Sequence, residues 1–152
     1  METTTNRQMA LFIDDDSVLV SILMDQLRLF FAERGLDFAV CTATEEIPGT
    51  IAAFSGKNVA IAIIDLWMID KKTNKPNTQA GYEVINQLRK RWPNCYIVVL
   101  SGHIDDAAKR TLTGYKNLAM LEKPIPTFVL EELINNLLGD LGICRTSGSV
   151  PA

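Results

Sequence analysis

Five short runs in this chain are apolar from end to end: Met9-Ala10-Leu11-Phe12-Ile13, Phe38-Ala39-Val40-Cys41, Val59-Ala60-Ile61-Ala62-Ile63-Ile64, Tyr96-Ile97-Val98-Val99-Leu100 and Leu118-Ala119-Met120-Leu121. A strand with one face in water alternates apolar and polar residues. Strands that do not alternate are covered on both faces, which is the signature of a parallel sheet between two helical layers. The stretches between the runs carry helical spacing, so the chain is expected to be α/β.

The expected strands are Met9–Ile13, Phe38–Thr42, Val59–Asp65, Cys95–Leu100 and Leu118–Leu121. The first helix is expected from about Ser17 to Arg34, with Leu19, Ile22, Leu23, Leu27 and Phe30 inward and Gly35 closing it. A shorter helix follows over Glu45–Phe54, with Pro48 in its first turn. The next runs over Gly81–Arg91, with Val84, Ile85 and Leu88 inward and Trp92-Pro93-Asn94 ending it. A weak helix starts at Asp105-Asp106 and reaches about Tyr115, and a last one, Thr127–Leu141, puts Leu130, Leu133, Ile134, Leu137, Leu138 and Leu141 on one stripe.

The chain has 152 residues, 47% of them apolar, which suits one domain with one substantial core. Its net charge of −3 offers no broad basic surface, so direct nucleic-acid binding is not expected. No apolar stretch is long enough to span a bilayer and Met1-Glu2-Thr3-Thr4-Thr5 has no basic n-region, so the expected location is the cytoplasm, away from membranes. Cys41, Cys95 and Cys144 are odd in number and lack metal-ligand spacing; Cys41 and Cys95 are expected to be reduced core residues.

What ends the strands is more specific than the strands themselves. The first run leads into Asp14-Asp15-Asp16, the third into Asp65, the fourth into Ser101-Gly102, and the fifth into Glu122-Lys123-Pro124. Open α/β sheets bind ligands at the carboxyl ends of their strands. Acids gathered there repel one another, and a hard divalent cation relieves that repulsion.

On these residues, from about Met9 to Leu141, the chain resembles the receiver domains of two-component response regulators. The resemblance implies a flavodoxin-like (βα)5 fold, a doubly wound parallel sheet of strand order 2-1-3-4-5. It implies that Asp65 is a phospho-acceptor, with Asp14 and Asp15 as the acidic pair, Ser101 as the hydroxyl and Lys123 as the lysine before proline. The implied cofactor is Mg2+, held by Asp15 and Asp65, by Asp14 directly or through water, and by the backbone carbonyl of Trp67. Lys123 would place a point charge on one phosphoryl oxygen and Ser101 a hydrogen bond on another, while Gly102 leaves room for the group and offers its N–H. Side chains at Trp67 and His103 would line the path of hydrolytic water, so the bulky indole implies a long-lived phosphoryl form.

The implied partners are a histidine kinase or a histidine phosphotransfer protein, then a downstream protein target; a homodimer is also compatible. The first helix has a second apolar line, Val20, Met24, Leu27 and Phe31 with Val18 and Leu29, suited either to burial or to such a partner. The expected division is a flexible N-terminus over 1–8, a receiver domain over 9–141 and a disordered tail or linker stub over 142–152, with no output domain after Leu141. Two departures stand out. Ile69–Ala80 is several residues longer than the usual step from acceptor to third helix and has the composition of a mobile surface loop, suited to a lid or docking element. Met120 occupies a position where many receivers carry a switching aromatic residue.

Each residue also has a bland alternative: Asp15 or Asp16 as the helix N-cap, Asp65 as an ordinary strand-end acid, Ser101 as a turn hydroxyl, Lys123 as a surface lysine. Two other functional classes stay open. One is a pseudo-receiver that binds without turning phosphoryl groups over. The other is a Mg2+-dependent phosphatase with an aspartyl nucleophile, although Trp67 stands where such enzymes want a second acid.

Overall fold

The structure is a computed structural model, and it describes residues 8–14, 17–42, 47–54, 56–66, 68–70, 75–102 and 104–143. In chain order the elements are β1 (Gln8–Ile13), α1 (Ser17–Ala32), β2 (Asp37–Cys41), α2 (Ile47–Ala53), β3 (Asn58–Ile64), β4 (Met68–Asp70), β5 (Lys75–Asn77), α3 (Thr78–Arg91), β6 (Tyr96–Ser101), α4 (Asp106–Leu112), β7 (Leu118–Glu122) and α5 (Thr127–Asp140). Five strands form a parallel sheet in the order β2-β1-β3-β6-β7, which is 2-1-3-4-5 when only the parallel strands are counted. The expected flavodoxin-like α/β fold is what the chain adopts.

The apolar runs are buried on both sides, as their lack of alternation requires. Met9, Leu11 and Ile13 of β1 pack with Val84, Ile85 and Leu88 of α3 and with Ala108 and Leu112 of α4. Ala10 and Phe12 face the other way, into Leu23, Leu27, Phe30 and Phe31 of α1 and Leu130, Ile134 and Leu138 of α5. The β1–β3 register slips once. Met9 pairs with Val59 but Ala10 pairs with Ile61, so Ala60 is one residue in excess. Ala60 and Ile61 accordingly lie on the same side of the sheet, and regular alternation resumes with Ala62. Cys41 and Cys95 are both buried in the core, as expected.

Helices α1 and α5 end alike. Gly35 (φ 75°) and Gly142 (φ 78°) take the left-handed conformation, and the residue after each donates back across the last turn, Leu36 N–H to the Phe31 carbonyl (3.0 Å) and Ile143 N–H to the Leu138 carbonyl (2.8 Å).

Two expectations are corrected. The inward face of α1 is Val20, Leu23, Leu27, Phe30 and Phe31, whereas Ile22 is 67% exposed. Phe31 decides the rotation: it stacks on Phe38 of β2 (5.3 Å between centroids) and meets Phe30 edge-on (5.5 Å), and Ile22 is then turned away. The second correction concerns Ile69–Ala80, which is not simply a loop. Met68–Asp70 and Lys75–Asn77 pair antiparallel as a β-hairpin, and α3 starts at Thr78, before Gly81.

Candidate functional site at the carboxyl edge of the sheet

The sheet's hydrogen-bond ladder continues one residue past three strands, and these residues are Asp14, Asp65 and Lys123. The Asp14 N–H donates to the Cys41 carbonyl (3.1 Å), the Asp65 N–H to the Ile13 carbonyl (2.9 Å), and the Lys123 N–H to the Ser101 carbonyl (2.8 Å). Because Ile13 and Ile64 are register partners, the two acids emerge side by side. The Lys123–Pro124 peptide that follows β7 is cis.

The side chains converge as well. The Lys123 ammonium donates to Asp14 Oδ2 at 2.8 Å and lies 3.5 Å from Asp65 Oδ2. The Asp14 side chain is 1% exposed, that of Asp65 7% and that of Lys123 19%. Two carboxylates this deeply buried require a nearby countercharge, and Lys123 supplies one to both. Since one nitrogen touches both oxygens, their separation cannot exceed the sum of the two distances. Ser101 is fully buried at the end of β6, beside Glu122 in register. A Cβ built on Gly102 would meet nothing within 4 Å, so the glycine leaves open space next to Ser101.

Asp14, Asp65, Ser101, Gly102 and Lys123 are thus all at the edge where the sequence expected them. Asp15, Asp16, Trp67 and His103 lie outside the described residues. Among the described residues no group of three or more His, Cys, Asp or Glu side chains is arranged to hold a metal. The two carboxylates that do converge are hard oxygen donors. One or two such groups, with waters and a carbonyl, are what Mg2+ takes from a protein, so the donor set fits that ion.

One contributor was not anticipated. Gly81, on the first turns of α3, presses against Leu66, the fully buried residue after Asp65: a Cβ at Gly81 would lie 2.6 Å from the Leu66 carbonyl oxygen and 2.9 Å from its Cα. The signal in the sequence was a glycine at the head of a helical pattern, a residue that permits close backbone approach.

No protein-family model matches the sequence, and no curated protein does. Solved structures do match by fold. A response regulator receiver domain protein from Clostridium thermocellum superposes with a TM-score of 0.64 at 19% identity, covering 90% of this chain and 97% of that one. A response regulator receiver protein from Sinorhizobium medicae gives 0.63 at 22% identity, with coverages of 88% and 95%. The signal receiver domain of a putative Luxo repressor protein from Vibrio parahaemolyticus gives 0.66 at 16%, covering 90% and 93%. With its five parallel strands in the order 2-1-3-4-5, the chain has the fold of response-regulator receiver domains.

Proposed function

We propose that this chain is a phospho-accepting signalling receiver, residues 9–141 forming the receiver unit and Asp65 taking a phosphoryl group from a phosphohistidine of a histidine kinase or phosphotransfer protein. The observation that carries the reading is the Lys123 ammonium held between the buried carboxylates of Asp14 and Asp65 at paired strand ends. An Asp65 oxygen attacks phosphorus, the N–P bond breaks, and the imidazole leaves and takes up a proton, so that an acyl phosphate forms on Asp65. Lys123, already 3.5 Å from Asp65 Oδ2, is placed to neutralise one phosphoryl oxygen. The Ser101 hydroxyl serves a second oxygen, and the open space at Gly102 admits the group. Asp14, Asp15, Asp65 and the Trp67 carbonyl would hold Mg2+, which when bound supplies charge neutralisation between carboxylate and phosphoryl anions.

The surface of α1 supports a helical partner. Val18, Ile22 and Leu29, spaced four and seven residues apart, form one outward row at 68%, 67% and 63% exposure, and Phe128 at the start of α5 is 68% exposed. An exposed apolar row of this kind marks association sites, and its near end starts a few residues from Asp14. It suits the helical bundle that carries a phosphohistidine. Among the described residues no helix is long and apolar enough to cross a membrane.

Incubation with Mg2+ and acetyl phosphate, followed by intact-mass measurement, tests the reading. One added phosphoryl group in the parent and none in Asp65→Asn is the expected result. Continuous phosphate release would favour the aspartyl phosphatase, and no adduct the pseudo-receiver.

A further inference from the structure

Helix α3 is fastened at both ends, to the acceptor loop at one and to the α4–β7 connection at the other. At its start, Gly81 has no clearance against the Leu66 backbone, and β5 runs into α3 with no residue between. The acceptor loop, the hairpin and the helix are therefore one covalent run with a tight internal contact. In its second half, Asn86 Oδ1 accepts from the Tyr115 hydroxyl at 2.6 Å. Arg89 donates to the carbonyls of Cys95 (2.6 Å) and Pro93 (3.1 Å) through Nη1 and to that of Lys116 (2.6 Å) through Nη2, with Asn117 at 3.5 Å. Asn117 holds a positive φ of 55°, and its carbonyl accepts from Ile97 of β6. Between the two ends, Val84, Ile85 and Leu88 are buried against the sheet, so the rod is guided along its length.

From these contacts we infer that α3 is a conformational strut: occupation of Asp65 is transmitted through Leu66 and Gly81 to α3, and read out at residues 115–117 on the opposite edge of the sheet. The inference rests on the receiver reading of Asp65. Gly81 and Arg89 are eight positions apart, about 12 Å along the helix axis, within one rigid element. A backbone approach too close to admit even a methyl group passes a push from Leu66 on to the helix. Switching helices shift by about 1–2 Å. A shift of that size takes a 2.6 Å hydrogen bond past the length at which it still holds. The bonds at Tyr115 and Lys116 lie on the exposed rim, so they open without disturbing the core.

Amide hydrogen exchange of the full chain, with Mg2+ alone and with Mg2+ plus beryllofluoride as the phosphoryl mimic, tests the inference. The peptide covering 113–118 should change its exchange rate by roughly threefold or more when the mimic is added. In Asn86→Ala and in Tyr115→Phe, which leave only the Arg89 bonds to residues 116 and 117, that response should be smaller than in the parent, while peptides around Asp65 and Ser101 respond as before. A response at Asp65 with none at 113–118 in the parent overturns the strut and leaves the receiver reading standing. So does a response at 113–118 that is undiminished in both variants. Silence at every peptide, those around Asp65 included, overturns the strut and the receiver reading together.

Discussion

Replacing Gly81 with alanine sets two effects of opposite sign against each other, and the structure decides between them. Alanine in place of a helical glycine gains about 1 kcal/mol, because the unfolded chain loses freedom and the helix does not. Against this, the new Cβ would sit 2.6 Å from the Leu66 carbonyl oxygen and 2.9 Å from the Leu66 Cα. Both are backbone atoms. Leu66 is fully buried, and the preceding residue is tied to β1 through the Asp65 N–H and the Ile13 carbonyl. Neither side can yield by rotating a side chain, so helix or loop must move by several tenths of an ångström, and such overpacking costs about 1–3 kcal/mol or more. With the contact made to backbone on both sides the cost falls in the upper half of that range, about 2–3 kcal/mol, and the net expectation is a loss of about 1–2 kcal/mol, about 3–6 °C in Tm for a chain of this size, with slower phosphorylation because Asp65 is displaced from Lys123. Urea unfolding, followed by far-UV circular dichroism, measures the first, and the rate of acetyl-phosphate labelling the second. Gly49→Ala is the control. A Cβ there meets nothing within 4 Å, so only the helical gain remains, about 0.5 kcal/mol of stabilisation. If Gly81→Ala matched Gly49→Ala in sign, α3 would have slack against Leu66, and the reasoning on their contact would be wrong.

Lys123→Met leaves the carboxylates of Asp14 and Asp65 facing each other without the ammonium, and should cost about 3–5 kcal/mol in the absence of divalent ions. Mg2+ should restore more stability to this variant than to the parent, because no resident cation competes for the site; equal rises in Tm with added Mg2+ would contradict the shared-site geometry. Burial pushes the Cys95 thiol up from 9.0 to about 12, against the opposing pull of the Arg89 guanidinium and a backbone hydrogen bond from Ala62. The folded state then holds a proton that the unfolded state gives up above pH 9, so this contribution is complete below pH 9 and fades by up to about 1.4 kcal/mol per pH unit between 9 and 12. Urea midpoints across that range should fall less steeply for Cys95→Ala than for the parent, and parallel slopes would argue against it. Trp67→Asn should shorten the lifetime of the phosphorylated form, as read by intact mass over time, and an equal or slower decay would remove the indole from any shielding role.

The strand ends were legible because the apolar runs give way abruptly to polar residues, so Asp14, Asp65 and Ser101, and Lys123 one step past Glu122, marked their own positions. The rotation of α1 was less legible. Apolar residues surround that helix, and with Val18, Ile22 and Leu29 as apolar as Val20 and Phe31, periodicity alone could not say which row met the sheet. The hairpin was hidden for another reason: its strands are three residues long, and one contains Pro76, which removes a donor that strand patterns rely on. The Asn86–Tyr115 and Arg89–Lys116 bonds join polar residues far apart in the chain, and nothing local announces such a pairing. Cys41 and Cys95 were read correctly from their place in or beside apolar strands.

The surplus residue at Ala60 makes β3 tolerant of miscounting. Met9 with Val59 and Ala10 with Ile61 already fix where Ile64 falls opposite Ile13, and the extra step is taken up before that point. Excising Ala60 would give an uninterrupted in-and-out rhythm and still deliver Asp65 level with Asp14. Insertions or losses in the turn leading out of α2 would likewise be spent upstream. Asp65 is addressed by its neighbour across the sheet, not by its distance from the start of its own strand.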